Sequence, residues 1–283
     1  MSEDAGVWTY AITEDSHLSG PGGEVDLSWV TGVGAAKVRT ITCSGLTVLV
    51  SDVSLAEFGE AALRRNLENL DWLDEVAREH HYVIDAAARI IPLLPTRLAT
   101  VYSGEAAVCA ALGSRHDQLR DALRRVGGRV EWGVKAYAEP EPDASAEPDK
   151  AERAATGGNR VGADAGRDAG PGSGAGLAYL KRRRGQLTAD RESRVGAVHA
   201  AQAIHADLTA KATDTRLHPP QSAQLSGVRL PMLLNAAYLL DAADGATFTA
   251  AVAGQATAHP ELRVELTGPW PPYSFADDDD DGH

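Results

Sequence analysis

The chain has 283 residues, of which 43% are hydrophobic and 24% are charged, a composition typical of a globular protein and not of a wholly disordered one. Its formal net charge is −13, which argues against bulk attraction to nucleic acid or to an anionic membrane. We therefore expect neither a nucleic-acid nor a membrane partner. The length is typical of about two domains of roughly 100–200 residues each.

The cysteine content and the N-terminus predict a protein of a reducing, cytoplasmic compartment. Two cysteines occur, Cys43 and Cys109, each within an apolar stretch, and the sequence gives no disulfide framework. The acidic start of the chain lacks the basic and apolar regions of a signal peptide. No apolar run approaches the roughly 18 residues that would indicate a membrane span.

Alternating and β-branched residues predict three strands at the start of the chain. The first covers residues 7–13 and is followed by a polar, glycine-rich loop over 15–23. The next two cover 37–43 and 46–52. Ser44-Gly45 between them has turn chemistry, so a hairpin is expected.

The pattern then changes to helix. A leucine repeat of Leu63, Leu67, Leu70 and Leu73 predicts a helix that begins after Ser54 and continues past Val76 and Ala77. Helix then extends to about Ala87, either directly or after a break. Pro92 and Pro95 predict an extended segment over residues 93–102. A further helix is expected from 104 to 126, ended by Gly127-Gly128.

The second half predicts the β-α-β-β-α-β order of a ferredoxin-like unit. Its expected elements are a strand at 129–137, a helix at 176–213, a weak strand near Gln224, a strand at 228–240, a helix at 247–258 and a strand at 261–267. The fold class predicted for the whole chain is α+β with two domains. The second domain is expected to be a modified ferredoxin-like unit with a C-terminal tail.

Residues 139–175 are rich in Pro, Gly, Ala, Asp and Glu, and we expect them to be a disordered insertion within the second domain. The domain boundary is placed near Gly127-Gly128, which gives domains of 1–127 and 128–283. An aromatic and acidic tail follows from residue 268 to 283, and its Asp277–Asp281 run is expected to be solvated.

The strand at 228–240 is apolar on both faces and should occupy the centre of its sheet beside the strand at 129–137. A sheet with one solvated face would not require this. We therefore expect part of its outer face to be covered, with the first domain and the aromatic segment 269–275 as the candidates.

The sequence offers no convergent acid, base and nucleophile, so no enzymatic activity, metal or cofactor is predicted. His80 and His81 are adjacent, with Glu79 and Asp85 nearby, and on a helix His81 and Asp85 would share a face as a candidate metal pair. A helix surface or a hydrogen-bonded core histidine explains these residues better. Burial explains the cysteines better than reactivity does. The glycine-rich stretch 170–176 lacks the strand and the Gly-Lys-Ser/Thr ending of a phosphate loop.

One basic cluster has two interpretations. It consists of Lys181, Arg182, Arg183 and Arg184, at the start of a predicted helix. The simpler interpretation is a solvated helix face. The functional interpretation is a surface that forms ion pairs with an acidic partner. RNA recognition is disfavoured, because the strand at 228–240 offers a single aromatic side chain, Tyr238, for base stacking.

Three stretches resemble the GvpL/GvpF family of gas vesicle proteins. They are Ile91-Pro92-Leu93-Leu94-Pro95-Thr96-Arg97-Leu98-Ala99-Thr100-Val101-Tyr102, Val130-Glu131-Trp132-Gly133-Val134-Lys135-Ala136-Tyr137, and Gly268-Pro269-Trp270-Pro271-Pro272-Tyr273-Ser274-Phe275. The second is the most specific. The first departs from a Pro-x-Arg-Phe-Gly-Thr-like family pattern at Leu98 and Ala99. Together the three span essentially the whole chain apart from the insertion.

The resemblance implies two α+β domains and no catalytic residues. It also implies an accessory factor or minor structural component of gas vesicle formation, in the cytoplasm or on the vesicle. Such a protein would work with the small hydrophobic shell protein and with other gas vesicle accessory proteins.

A surface for the shell protein is hypothesised on the second domain's sheet and the tail. Its candidate residues are Trp132, Tyr137, Trp270, Tyr273 and Phe275. The alternative is that all five pack inside the second domain. Two other functions stay open, namely a ligand-sensing regulatory protein built on the ferredoxin-like domain and an uncharacterised enzyme.

Overall fold

In the computed structural model, the described residues are 5–20, 23–24, 27, 29–139, 173–222, 224 and 227–276. The predicted insertion over 139–175 lies outside them except at its ends, and residues 173–175 already belong to a helix. The Asp277–Asp281 run also lies outside. None of the helices in the described part is long and apolar enough to cross a membrane.

The strands of the first half are β1 (Ala5–Glu14), β2 (Ser19–Gly20), β3 (Gly23–Glu24), β4 (Arg39–Cys43), β5 (Leu46–Ser54), β6 (Leu94–Pro95) and β7 (Val101–Tyr102). They include an antiparallel sheet in the order β4-β5-β1-β6, with β7 also paired to β1. The predicted hairpin is confirmed: Ser44 and Gly45 both take positive φ, 55° and 82°, in the tight turn between β4 and β5.

The helices of the first half are shorter than the sequence predicts. They are α1 (Asp15–Leu18), α2 (Leu55–Phe58), α3 (Glu60–Asn66), α4 (Leu70–Ala88), α5 (Glu105–Ser114) and α6 (His116–Val126). The expected loop after β1 therefore contains α1 and the small β2–β3 hairpin. The helix expected over 104–126 breaks at Arg115, whose φ of −124° and ψ of 19° are not helical.

The leucine repeat after Ser54 predicts a helix that is unbroken at least as far as Ala77, and this is wrong, because the chain leaves the helix between Asn66 and Leu70. The Asn69 side chain accepts hydrogen bonds from the backbone N–H groups of Asp71 and Trp72, which starts α4 as a separate helix. Leu67 and Leu70 are exposed, so the repeat does not form the buried face. Helix α4 instead buries Val76, His80, Val83, Ile84, Ala86 and Ala87.

His80 links three elements in the core of the first half. The Trp8 indole can only donate, so its 3.0 Å bond to His80 Nδ1 fixes the histidine tautomer. Nε2 of the neutral ring then donates to the Thr96 carbonyl oxygen at 3.2 Å. Burial lowers the pKa of His80 to about 4, so the ring is neutral at physiological pH.

The second half has the predicted β-α-β-β-α-β element order. Its elements are β8 (Arg129–Ala138), α7 (Ser173–Thr209), β9 (Asp214–Leu217), β10 (Met232–Asp241), α8 (Gly245–Ala258) and β11 (Leu262–Trp270). The sheet order is β11-β8-β10-β9, all antiparallel, so β8 and β10 are central as expected.

The weak strand predicted near Gln224 is wrong in position, because the second strand of this sheet is β9. The strand β9 precedes Pro219 and Pro220, which have no N–H to donate to a ladder. It pairs with β10 between Asp214 and Leu217. Similarly, the third strand begins at Met232 rather than at residue 228, directly after Pro231.

Strand β10 is buried on both faces, as its sequence predicts. One face contributes Leu234, Ala236, Tyr238 and Leu240 to a core shared with α7 and α8. The opposite face contributes Ala237 and Leu239 to a core formed with residues of the first half and with Phe275 and Ala276 of the tail. The expected cover of the outer face by the first half and the tail is therefore confirmed.

Cys43 of β4 and Cys109 of α5 form a disulfide, with their Cα atoms 5.6 Å apart. This corrects the expectation of unpaired cysteines. The two residues are 66 positions apart, and their proximity depends on how α5 packs against the edge of the first sheet. Both side chains lie partly buried against the shared core, which agrees with a structural role.

The disulfide predicts a clear effect of reduction. Cross-linking a loop of this length restricts the unfolded chain, and the loop-entropy model gives about 4 kcal/mol of stabilisation. We expect a reducing agent, or the double substitution C43S/C109S, to lower the urea midpoint of unfolding. The reducing agent should not affect the double variant further. An unchanged midpoint on reduction would contradict this assignment.

Candidate functional site

The C-terminal tail lies at the junction of the two halves. Strand β11 ends at Trp270, and a short 3₁₀ helix follows over Tyr273–Phe275. Gly268 permits a close passage past β8: its φ is 122°, and a Cβ there would lie 2.8 Å from the Glu131 carbonyl oxygen. Any residue other than glycine would be strained here, because its φ would be unfavourable and its Cβ would lie too close to that oxygen.

Glu131 holds the tail to the sheet. Its carboxylate accepts two hydrogen bonds from Ser274, one from the backbone N–H and one from the hydroxyl, each 2.7 Å long. Its side chain is only 8% exposed. Burial raises the pKa of Glu131, while the two Ser274 hydrogen bonds and the nearby His218 and Arg216 act in the opposite direction.

Tyr273 and Trp270 contact helix α4 of the first half. The Tyr273 hydroxyl lies 2.9 Å from His81 Nδ1, and burial raises the tyrosine pKa. The Trp270 ring meets the His81 ring edge-on, with centroids 5.4 Å apart, and remains 42% exposed. Between them lies a groove of about 380 Å³, lined by Ala77, Arg78, His81, Glu131, Trp270 and Tyr273.

Phe275 is fully buried in the core that the two halves share. The Arg216 guanidinium lies 5.6 Å from the centre of its ring, in the geometry of a cation–π contact. Arg125 donates to the Phe275 carbonyl oxygen at 3.1 Å. Phe275, one of the predicted partner contacts, is a core residue in this conformation.

The two candidates on β8 are also interior. Tyr137 is 1% exposed. Trp132 is partly buried against the α7–α8 core, where its ring approaches that of Phe248 at 6.4 Å between centroids. Its indole nitrogen has no hydrogen-bond partner in the described part of the chain. Both residues pack internally in this conformation. Of the five aromatic residues predicted to contact a partner, Trp270 and Tyr273 are the two that line the groove.

The basic cluster lies on a part of α7 that leaves the sheet. From Leu180 to Gly196, none of the described side chains is buried; the first buried residue is Ala197. Lys181, Arg183 and Arg184 are exposed, and the Arg182 side chain is outside the described set. The same stretch exposes Leu180 and Leu187, at 62% and 60%.

The structure does not assemble the metal group that the sequence suggested. His80 is committed to Trp8 and Thr96, His81 bonds Tyr273, and Asp85 pairs with Arg89 at 2.8 Å. Within the described residues, no cluster of three or more potential ligands occurs.

Sequence reasoning missed Glu131 and Ser274. Glu131 alternates with apolar residues on a strand, and that pattern normally indicates a solvated position. Its burial depends on the tail packing across the sheet, and the residues next to Glu131 in the sequence do not indicate that contact.

The Glu131–Ser274 contact predicts a pH-dependent mutant phenotype. Ser274→Ala removes one hydrogen bond to the buried carboxylate, at a cost of about 1.5–3 kcal/mol for a charged acceptor. Because the substitution raises the pKa of Glu131 further, the loss should be largest above that pKa and should diminish as acid protonates the group. Unfolding measured in urea across the pH range checks this.

Two variants serve as controls for that experiment. Ser114→Ala removes an exposed hydroxyl that bonds only within its own helix, and should have little effect at any pH. The double variant S274A/E131Q should lose the pH dependence. An equal loss for Ser274→Ala at acid and neutral pH would contradict the proposed role of the carboxylate.

Comparisons with known proteins identify the family. The family model described as "Gas vesicle synthesis protein GvpL/GvpF" matches residues 6–277. Gas vesicle protein L of Streptomyces sp. (strain CB03234) is 39% identical over 280 residues, covering 98% of this chain and 94% of that protein. Gas vesicle protein F of the same strain is 29% identical over 283 residues, covering 95% and 99%.

Solved structures agree in fold. The crystal structure of GvpF from Anabaena sp. PCC7120 superposes with a TM-score of 0.61 at 21% identity, covering 97% of each chain. That of GvpF from Microcystis aeruginosa gives 0.60 at 18% identity, covering 96% of this chain and 99% of the other. The chain therefore belongs to the GvpL/GvpF family of proteins involved in gas vesicle formation.

Proposed function

We propose that this chain is a non-enzymatic assembly adaptor that binds the small hydrophobic shell protein and other gas vesicle proteins in the cytoplasm. A small, very apolar shell subunit is prone to indiscriminate association before it is assembled. A soluble, acidic protein with restricted apolar surfaces would hold such subunits apart until they are added in order. The strand order β11-β8-β10-β9 supports a modified ferredoxin-like second domain, with the division at residues 127 and 128.

The projecting part of α7 carries the proposal. Residues 180–196 form about 25 Å of helix at 1.5 Å per residue, and no described side chain there is buried. Leu180, Leu187 and Val198 are separated by 7 and 11 positions, close to two and three helical turns, so they share one face. We propose that this face, rather than a contiguous apolar patch, is where a partner helix or strand would lie.

The described side chains of this part of α7 give the helix little stabilisation from packing within the chain. Gly185 and Gly196 each cost about 1 kcal/mol relative to alanine, and none of the side chains described between residues 180 and 196 is buried to offset that cost. Most helical stability in proteins comes from packing of one face. A partner that covers the leucine face would supply the missing packing.

Charge indicates the kind of partner for this helix. Residues 180–196 contain six basic and two acidic residues, in a chain whose formal net charge is −13. At 100° per residue, Arg184, Arg191 and Arg194 lie within about 40° of Leu180 around the helix, so positive charge accompanies the leucines. We therefore propose that acidic surfaces of other gas vesicle proteins bind here, through apolar contacts surrounded by ion pairs.

The groove at Trp270 is the proposed surface for the shell protein. It is apolar, it is open to solvent, and it presents a half-exposed tryptophan. Tryptophan is among the residues that most often dominate the free energy of protein association. The Tyr273–His81 contact fixes the groove wall and keeps it preformed.

Pull-down experiments with surface variants test both assignments. Trp270→Ser should weaken capture of the shell protein by about thirtyfold, the equivalent of a 2 kcal/mol hot spot, and should spare the other gas vesicle proteins. The double variant L180S/L187S should have the opposite selectivity. Charge reversal at Lys181 and Arg184 should weaken the same contacts as L180S/L187S, mostly at low salt.

The matched control is Ile90→Ser, which removes an apolar residue that is 50% exposed just after α4 and does not line the groove. It should bind all partners as the unmodified chain does. Shell-protein capture that survives Trp270→Ser would refute the groove assignment. Failure of the native chain to capture any gas vesicle protein would refute the adaptor proposal and favour the ligand-sensing alternative.

A further inference from the structure

A face of helix α4 near its start combines exposed leucines with acidic side chains. Leu67, just before the helix, is 40% exposed, and Leu70, the first helical residue, is 77% exposed. Leu70 and Asp74 are four positions apart, so they lie within about 40° of each other around the helix. We call residues 67–75 the acceptor face. They include no basic residue and four acidic ones, which are Glu68, Asp71, Asp74 and Glu75.

The projecting part of α7, residues 180–196, has the complementary pattern, and we call it the α7 arm. Leu180 is followed four positions later by Arg184, and Leu187 is followed in the same way by Arg191. All four side chains are exposed, at the spacing that leucine and aspartate have on the acceptor face. The arm carries six basic and two acidic residues, a formal charge of +4, against −4 on the acceptor face. Leucine packed against leucine would therefore bring arginine beside aspartate.

The charges of both surfaces are available for such a contact. Within the described part of the chain, no ion pair involves Asp71, Arg184 or Arg191. Asp74 pairs with Arg78 at 3.1 Å, but both side chains are 71% exposed, and exposed pairs of this kind contribute little to stability. An arginine of a partner can therefore take the place of Arg78 with little loss.

The sheet of the second half separates the α7 arm from α4 of its own chain. Helix α7 packs on one face of this sheet, and the half that contains α4 covers the other face. We propose that the α7 arm of one copy binds the acceptor face of a second copy. This inference rests on the proposed function of the arm as a partner surface, and it names another copy of the chain as a partner.

The contact is heterologous, because its two surfaces are different. Such contacts repeat from copy to copy in a ring or in an open chain. The arm is about 25 Å long, and an interface made by one helix of this length falls in the small class, below about 1,200 Å², that is typical of transient complexes. We therefore expect self-association that is weak in dilute solution and increases with concentration.

Net charge determines the salt dependence of this contact. The formal net charge of −13 makes whole copies repel each other. At about 0.15 M salt the Debye length is about 8 Å, so repulsion between distant charges is screened while pairs in direct contact persist. Self-association should therefore be strongest near this ionic strength, and weaker both at very low salt and at about 1 M.

Sedimentation velocity of the purified chain over a series of concentrations tests the proposal. The native chain should shift to faster-sedimenting species as its concentration rises. Leu70→Arg places a positive charge on the acceptor face and Leu187→Asp places a negative charge on the arm, so each should weaken self-association by at least about tenfold. Both leucines are largely exposed, at 77% and 60%, and thermal unfolding followed by circular dichroism checks that the variants fold.

The matched controls are Ile90→Arg and Ile90→Asp. They make the same changes of charge at an apolar residue that is 50% exposed and outside both surfaces. Both controls should associate as the native chain does. Equal weakening by Ile90→Arg and Leu70→Arg would assign the effect to net charge and would overturn the proposal.

Mixing the two variants tests the head-to-tail arrangement. The Leu70→Arg variant retains its arm, and the Leu187→Asp variant retains its acceptor face. Each variant alone should remain a monomer. An equimolar mixture should form dimers but nothing larger, because each chain contributes only one functional surface.

The outcomes separate this inference from the proposed function. A chain that stays monomeric at every concentration, while its arm still captures other gas vesicle proteins, would overturn the inference and leave the adaptor function intact. Self-association that Leu70→Arg does not weaken would rule out the acceptor face. A mixture of the two variants that contains only monomers would rule out the pairing of arm with acceptor face. Association lost in each variant and recovered as dimers in the mixture would support the inference, even if the chain captured no other gas vesicle protein.

Discussion

The burial of strand β10 on both faces is the constraint on which the rest of this structure depends. Tyr238 and its neighbours on one face form the core with α7 and α8, while Leu239 on the other face packs against the first half. A sheet covered on both faces leaves little of its surface for partners. The accessible surfaces are therefore displaced to the periphery, where α7 leaves the sheet and where the tail meets α4.

The tail depends on the same arrangement. Phe275 enters the core beside Leu239, and this burial brings Ser274 over Glu131 and Tyr273 to His81. The groove proposed for the shell protein and a second concavity of about 500 Å³ are both lined by Tyr273 of this short segment. Partner binding in either concavity would thus act on residues that also hold the two halves together. An adaptor built in this way would respond to one partner at the surface that meets another, which is a physical route to ordered assembly.

Much of the fold could be predicted from the sequence, because periodicity records local burial. The alternation in β8 and the two-sided apolar character of β10 predicted the central pair of strands and the cover on their outer face. Contacts between segments that are far apart in the chain could not be predicted. Glu131 has the sequence pattern of an exposed strand residue but is buried by the tail, and Cys43 meets Cys109 only through the packing of α5. The departure at Ala99 has a structural counterpart, since this residue keeps a φ of 63° where the family-like pattern has glycine.

Native-state hydrogen exchange on the variant Leu239→Ala tests the central constraint most directly. Removing this buried side chain should cost about 2–5 kcal/mol. If β10 joins both halves into one cooperative unit, the slowest amides of β1 and β5 and those of β8 and β10 should lose the same free energy of opening. A loss confined to the sheet of β8 and β10, with β1 and β5 as protected as in the native chain, would contradict the account. It would show that the halves unfold independently despite their shared core.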